Sequence, residues 1–450
     1  MKNKINILIF VLWCLFALIG LFHHELWRDE TQVWCLVRDV NFFDLFAATR
    51  IEGHPMLWYL LVLPFAKLGL PVESMQFLSF ALVGSAVALM LWKSPFSNFE
   101  KFIVALSAGM VYFIPVISRN YALIPLAIFL IAYFYPRRSE KPYKYTFSLI
   151  LLSQAHSLVF AFSGLLFIFF AIENLKEKKY LFPLLLLTIN FLALFCIFCI
   201  AGTENHAIRF YNQNAPELAV FIQKFCSIYF EPIFKKYNLI NMIIFYASLL
   251  VFSYGLFKQD KKIFSLFIVS FSYIFFVFSK VWLGGIYYQK AFILLLFIVF
   301  CYWVSNKDFK PLKVVFVILF SISSLLSIPA ILDEVRYQFS GAKQLATYIK
   351  HNLKDKEYKF LGYPYTISPI SAYLPDRKFY SEQQMGYVTY YDFRYRRNIN
   401  DIEKSSAKYF IVQRNISLVS NERFKEIFAT DNNILGPRKE AEVYKIYEKI

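Results

Sequence analysis

The chain has 450 residues, 58% of them hydrophobic and 20% aromatic, with 52 Phe and a mean hydropathy of +0.47. That apolar share excludes an ordinary soluble domain. The net charge of +17 does not point to nucleic acid, because the basic residues fall largely in short loops between apolar runs, where membrane topology accounts for them.

The first element is an apolar run after MKNK that ends at Phe22. It has no small-x-small cleavage pattern and leads directly into an acidic loop, which predicts a retained helix with Lys2 and Lys4 inside. The loop, 23–72, carries HELWRDETQVWCLVRD (24–39) and IEGHPMLWYLL (51–61). Charged groups near hydrocarbon cost free energy, so a cluster of carboxylates, arginine and histidine at a lipid boundary points to chemistry or ligand binding. Within this loop 55–70 would span only about 24 Å at 1.5 Å per residue, short of a core roughly 30 Å thick. With Pro64 interrupting it, an interfacial helix is expected there.

Further apolar runs follow at 73–92, 102–118, 120–135, 145–172, 180–201, 240–257, 262–281, 287–304 and 312–330. The connectors 93–101, 136–144, 174–179, 257–262 and 306–313 are short and basic, which places them in the cytoplasm. That requirement splits 145–172 into two short helices meeting near Gln154–Ser157. The result is about eleven crossings, several of them approaching the ~20 residues a bilayer needs, with the N-terminus inside and the C-terminus outside. Only the basic loops orient the helices. Even so, the 23–72 loop, the Ser118-Arg119-Asn120-Tyr121 corner, the Gln154-Ala155-His156 tip, the 202–239 loop and GGIYYQK (284–290) all converge on the outer face.

Residues 332–450 differ from the rest. Helix-like 339–353 precedes strand-like 358–363; 408–415 and 442–449 also read as strands, and SNERFKEIF (420–428) as a helix. Alternation of this kind predicts a small α/β domain on the outer face. It holds no glycine-rich phosphate loop and no nucleophile elbow. Asn415-Ile416-Ser417 matches a glycosylation sequon, a triplet common by chance. The domain plan is thus a transmembrane catalytic part over 1–331 and an extracytoplasmic part over 332–450. The six cysteines form no framework: Cys14, Cys196, Cys199 and Cys301 lie in apolar runs, where a thiol behaves as a small hydrophobe. Cys35 and Cys226 are both expected outside, with a disulfide neither required nor supported.

The candidate site residues follow from this layout. Asp29 with Gln32 has the spacing of a helix cap, and a carboxylate within reach of an attacking hydroxyl also suits a general base. The two readings are compatible. Glu30 is the adjacent acid and Arg28 the adjacent cation. In Glu52-Gly53-His54-Pro55, glycine permits close backbone approach and proline is expected to open the next helix, whose N–H groups would face an anion. Glu52 and His54 would flank that anion or, with Glu30, hold a metal. The plainer reading is a turn entering an interfacial helix, with Trp58 and Tyr59 as belt residues. Arg119 is expected at a helix end, where its fork suits a lipid phosphate or merely snorkels. Tyr121, His156 and Lys290 complete the set, with weaker cases.

On these residues the N-terminal third resembles the GT-C superfamily of integral-membrane glycosyltransferases, which includes the protein mannosyltransferases and the aminoarabinose transferase of lipid A. The likeness lies in WRDETQVW (27–34), EGHPMLWYLL (52–61) and SRNYAL (118–123). It departs at Met56, where the family's pattern has a second proline. The resemblance implies a bundle of eleven to thirteen helices with a soluble domain outside, and a sugar on a polyprenyl phosphate as donor. It places Asp29 as the acceptor-activating aspartate, Glu30 as the neighbouring acid and Arg119 as a phosphate contact. The expected reaction is an inverting transfer to a lipid, glycan or protein acceptor, with Arg28, Lys290 or a divalent metal as further candidates to balance the leaving phosphate. The competing class is a transporter or flippase of lipid-linked saccharides. Such proteins usually carry ionisable groups at the bilayer midplane and repeated halves, whereas here the polar residues gather at one face and no repeat is visible.

Overall fold

Helices cover each of the apolar runs in the computed structural model, which describes residues 2–204, 220, 222, 225–226, 238–281, 288–305, 309–353, 358–361, 366–381, 386–392, 408–413, 423–431, 434–435 and 442–450. In chain order they are α1 (Lys2–His23), α2 (Arg28–Asp39), α3 (Phe42–Glu52), α4 (Leu57–Lys67), α5 (Ser74–Lys93), α6 (Asn98–Ala105), α7 (Leu123–Phe134), α8 (Pro142–Ser153), α9 (Phe160–Asn174), α10 (Leu181–Glu204), α11 (Asn238–Gln259), α12 (Lys261–Phe276), α13 (Tyr288–Val304) and α14 (Lys310–Arg336). Among the described residues seven helical stretches are long and apolar enough to cross a membrane: Asn3–His23, Ser74–Lys93, Ser157–Asn174, Lys178–Ile197, Leu239–Gln259, Lys261–Lys280 and Lys310–Arg336. Leu57–Lys67 and Lys290–Val304 are shorter apolar helices.

The chain forms two compact units. One comprises Met1–Ile19, Gly53–Trp58 and Ser79–Ile331; the other comprises Gly20–Glu52, Tyr59–Leu78 and Leu332–Ile450.

In the first unit α1 is tied to its neighbours by Trp13, a buried side chain that donates to the Met110 carbonyl at 2.7 Å and stacks on Phe80. The 102–118 run is not one helix. α6 stops at Ala105 and a π-turn spans Gly109–Phe113. At Gly109 the Phe292 ring lies where a Cβ would stand, so a larger residue there would require the ring to shift. The 145–172 run breaks as expected, with α8 and α9 separated by the turn at Gln154–His156.

The basic connectors share one end of this bundle. Glu173 pairs with Arg138 at 2.7 Å and Lys262 at 3.0 Å, and Tyr135 meets Phe300 edge-on. Near the same end of α13, Tyr302 donates to Glu100 at 2.7 Å. By chain direction, the Arg119 corner that opens α7 and the His156 turn that follows α8 lie at the opposite end.

The second unit is built on a six-stranded mixed sheet of order β3-β2-β1-β4-β6-β5. Its strands are β1 (Tyr358–Leu361), β2 (Phe379–Ser381), β3 (Gly386–Val388), β4 (Tyr409–Gln413), β5 (Phe424–Ala429) and β6 (Tyr444–Lys449). β1 is parallel to β2 and β4, and the remaining pairs are antiparallel. α15 (Ala342–Asn352) buries Ala342, Leu345, Ala346 and Ile349, a single stripe at helical spacing, in a core with Tyr358, Ile411, Tyr444 and Ile446. A short α16 (Ile367–Tyr373) packs against both α15 and α2.

Three expectations are corrected. Residues 424–428 of the expected 420–428 helix lie instead in strand β5, held by pairing with β6 and by Glu426 bonding to both Lys445 and Tyr447. Helix α4 begins at Leu57, so Pro55 lies before it rather than at its first position. The 23–72 loop holds two helices of its own, α2 and α3, ahead of α4. The sequon at 415–417, most of the 202–239 loop and residues 284–287 lie outside the described residues.

Candidate functional site

The predicted residues fall into two clusters, one in each unit. In the second unit the cluster is built at the start of α2. Trp27 is extended (φ −107°, ψ 176°) and Arg28, Asp29 and Glu30 form the first turn. The capping carboxylate is therefore Glu30 rather than Asp29. Its Oε2 accepts from the Trp27 N–H at 3.1 Å, closing the helix start from the third position.

That same oxygen lies 2.9 Å from His24 Nε2, and His24 Nδ1 lies 3.0 Å from Glu334 Oε1. The side chains of all three are fully buried. With a carboxylate on each ring nitrogen, both nitrogens act as donors, which is the imidazolium form. Burial opposes this charge, but Glu30 and Glu334 outweigh it and raise the His24 pKa to about 10. Phe339 closes the face of the ring edge-on at 4.5 Å. Close by, burial lifts Glu25 to about 7 against the pull of Lys343 and His24.

Asp29 differs from Glu30. Its side chain is 30% exposed, and Arg28 Nε lies 3.4 Å from Oδ1. The Arg28 guanidinium in turn lies over the Trp27 ring, 5.4 Å from its centre. The positive end of the α2 dipole favours a carboxylate here. Of the two acids, Asp29 is the one with access to an incoming group.

One turn further, Gln32 donates to Glu52 at 2.9 Å and exchanges two hydrogen bonds with the Tyr391 backbone. Glu52 also accepts from the Tyr59 hydroxyl. Cys35 is a buried free thiol facing the Ser368 carbonyl at 3.4 Å.

The first unit holds the cationic cluster. Gly53, at φ +72°, turns the chain after α3 and leads to His54. The His54 and His156 ring centres are 5.4 Å apart. Tyr121 stacks on His156 at 4.8 Å, and the Arg119 guanidinium lies 5.5 Å from the centre of the Tyr121 ring. Asn120 clamps the two turns together by donating to the Ala155 carbonyl at 2.8 Å. His156 Nδ1 accepts from the Leu158 N–H at 3.1 Å, so in the neutral ring the proton sits on Nε2. Burial drives the pKa of His156 well below its usual value, and His54, Lys290 and Arg119 push it in the same direction. Lys290, near the start of α13, is itself buried. The groups bearing on His156 are thus cationic or neutral, a collection suited to an anion.

Among the described residues no three His, Cys, Asp or Glu side chains gather as a metal-binding group. Glu30 turns to His24 and Trp27, and Glu52 to Gln32 and Tyr59. Sequence reasoning missed Glu334, Glu25 and Glu442. Glu334 reaches His24, and Glu442 reaches α2, from more than three hundred residues away, and no local spacing signals them.

No protein-family model and no curated protein matches the sequence. Among solved structures, the chain is similar to the crystal structure of ArnT from Cupriavidus metallidurans bound to undecaprenyl phosphate, with a TM-score of 0.58 at 9% identity, over 99% of this chain and 98% of that one. The chain shares the fold of that structure, apolar helices with a small C-terminal strand domain.

Proposed function

We propose that the chain is a membrane glycosyltransferase that moves a sugar from a polyprenyl-phosphate donor to an extracytoplasmic acceptor. The observation that carries this reading is the character of Asp29. It is a partly exposed carboxylate at a helix start, fixed beside a cation, in a chain whose whole length is similar in fold to a transferase crystallised with undecaprenyl phosphate.

In this reading Asp29 takes the proton of an acceptor hydroxyl or amine. The freed electron pair forms the bond to the anomeric carbon from the face opposite the phosphate, and the bond from that carbon to the phosphate oxygen breaks with inversion. The phosphate leaves as an anion of low basicity, so it requires positive charge more than a proton. Arg119, with Lys290, His54 and neutral His156 beside it, is assigned to that charge, and Tyr121 to holding Arg119 in place. Glu30 and Glu52 are assigned to fixing α2 and the turn after α3. The basic connectors at the opposite end support an outer position for the Arg119 end of the bundle. On that basis 1–331 forms the membrane part and 332–450 an outer domain.

The test is transfer of label from a panel of radiolabelled polyprenyl-phosphate sugars into envelope extract by the purified chain. Incorporation from one member of the panel supports the enzyme and identifies the sugar. Binding of donors without any transfer, together with movement of lipid-linked sugar across proteoliposomes, would instead establish a transporter.

A further inference from the structure

The first turn of α2 is held from the far end of the sequence. Glu442, just before β6, accepts from the Arg28 N–H through Oε1 at 3.1 Å. Its backbone carbonyl accepts from the Gly341 N–H, also at 3.1 Å. The residue is 3% exposed, and its second oxygen, Oε2, is buried with no hydrogen-bond partner among the described residues. The carboxylate is also held by a side-chain hydrogen bond with Ser340, so its place beside the first turn of α2 is fixed from two sides.

The groups facing Glu442 are few. From α2 come Arg28 and Asp29, from the turn before α15 comes Ser340, and from β6 comes Tyr444. Arg28 serves both acids. Its Nε lies 3.4 Å from Asp29, and its charge also acts on Glu442. The Asp29 charge in turn raises the pKa of Glu442.

We propose that Glu442 is a positioning residue for the acceptor-activating centre: in its ionised form it draws on the Arg28 charge and fixes the first turn of α2, and so strengthens Asp29 as a base. The proposal rests on the reading of Asp29 as that base. It gives the C-terminal domain a direct part in the chemistry through a carboxyl that no motif marks.

The titration of Glu442 gives the proposal a signature. Burial raises its pKa from the usual carboxyl range to about 7, with Arg28 and Ser340 pulling it down and Asp29 pushing it up. The helpful, ionised form is therefore gained as pH rises through about 7. Label transfer from a polyprenyl-phosphate sugar into envelope extract is followed against pH for full-length wild type, Glu442→Gln, Glu442→Asp and Asp29→Asn. Wild type is expected to show a rise in kcat through neutrality. Glu442→Gln should lose that rise and run about tenfold slower on the alkaline side, the equivalent of one unit of lost basicity at Asp29. Its affinity for polyprenyl phosphate should be unchanged, and Glu442→Asp should regain a rise at a displaced pH.

A wild-type profile in Glu442→Gln, with Asp29→Asn inactive, overturns this inference and leaves the base reading intact. Turnover by Asp29→Asn overturns the base reading itself, and this inference with it. If Glu442→Gln fails to fold in a thermal melt, Glu442→Asp decides: a displaced rise supports the proposal and an unmoved one overturns it.

Discussion

The acidic start of α2 and the cationic corner around His156 handle charge in opposite ways. At α2 unlike charges are matched inside the cluster: His24 between Glu30 and Glu334, Arg28 against Asp29. At the corner the groups bearing on His156 are His54, Lys290 and Arg119, all of one sign or neutral. The first arrangement is suited to holding one carboxylate in a fixed place, and the second to receiving a negative ligand. The proposed reaction, which activates an acceptor and releases a phosphate, calls for one of each.

Four experiments break or sharpen that contrast. The largest effect is expected from Asp29→Asn, which should lower turnover by about 10²- to 10⁴-fold, the range for a general base, in the label-transfer assay. Next, Glu30→Gln removes one carboxylate from a fully buried ion pair, so it should lower unfolding stability by about 3–5 kcal/mol. Thermal or denaturant unfolding in detergent measures this, and a stability like the wild type's would mean that Glu30 does not hold α2. Arg119→Ala should weaken binding of polyprenyl phosphate by about 1.5–3 kcal/mol, the value of a hydrogen bond to a charged group. Calorimetric titration reads it, and unchanged affinity would remove Arg119 from the phosphate site.

The smallest effect concerns pH. His24 is raised from 6.5 to about 10, so its contribution is fully present below 6.5 and is lost as pH rises through about 10. Within that window the folded state holds a proton that the unfolded state has released. Stability should therefore fall by up to about 1.4 kcal/mol per pH unit. Melting points taken from pH 7 to 9 should decline in wild type and stay flatter in His24→Gln; parallel slopes would show that His24 is not charged.

Much of this organisation is legible in the sequence. Most apolar runs fall on helices because length and hydropathy set what can cross a bilayer, although 102–118 is broken after Ala105 and seven helical stretches among the described residues have the length to cross. The break at Gln154–His156 is legible only through charge, since PRRSEKPYK and NLKEKK cannot share a side across one helix. Both clusters also lie on residues that the sequence singles out, Asp29 and Glu30 in one, Arg119, Tyr121, His54, His156 and Lys290 in the other.

The misses have physical causes. Residues 420–428 have a helical charge pattern, but pairing with β6 and a bulge at Glu426/Phe428 override local preference. Asp29 has the spacing of a cap with Gln32, yet Trp27 takes the cap position and Glu30 closes it, because His24 fixes the Glu30 carboxylate there. Glu334 and Glu442 act across 310 and 414 positions of sequence, a distance at which spacing carries no signal.

The most direct test of the division between the clusters measures turnover and polyprenyl-phosphate affinity together for Asp29→Asn and Arg119→Ala. The account predicts opposite losses: Asp29→Asn keeps its affinity and loses turnover, while Arg119→Ala loses affinity first. If both variants lose the same quantity to the same degree, the two clusters do not divide acceptor and donor chemistry between them.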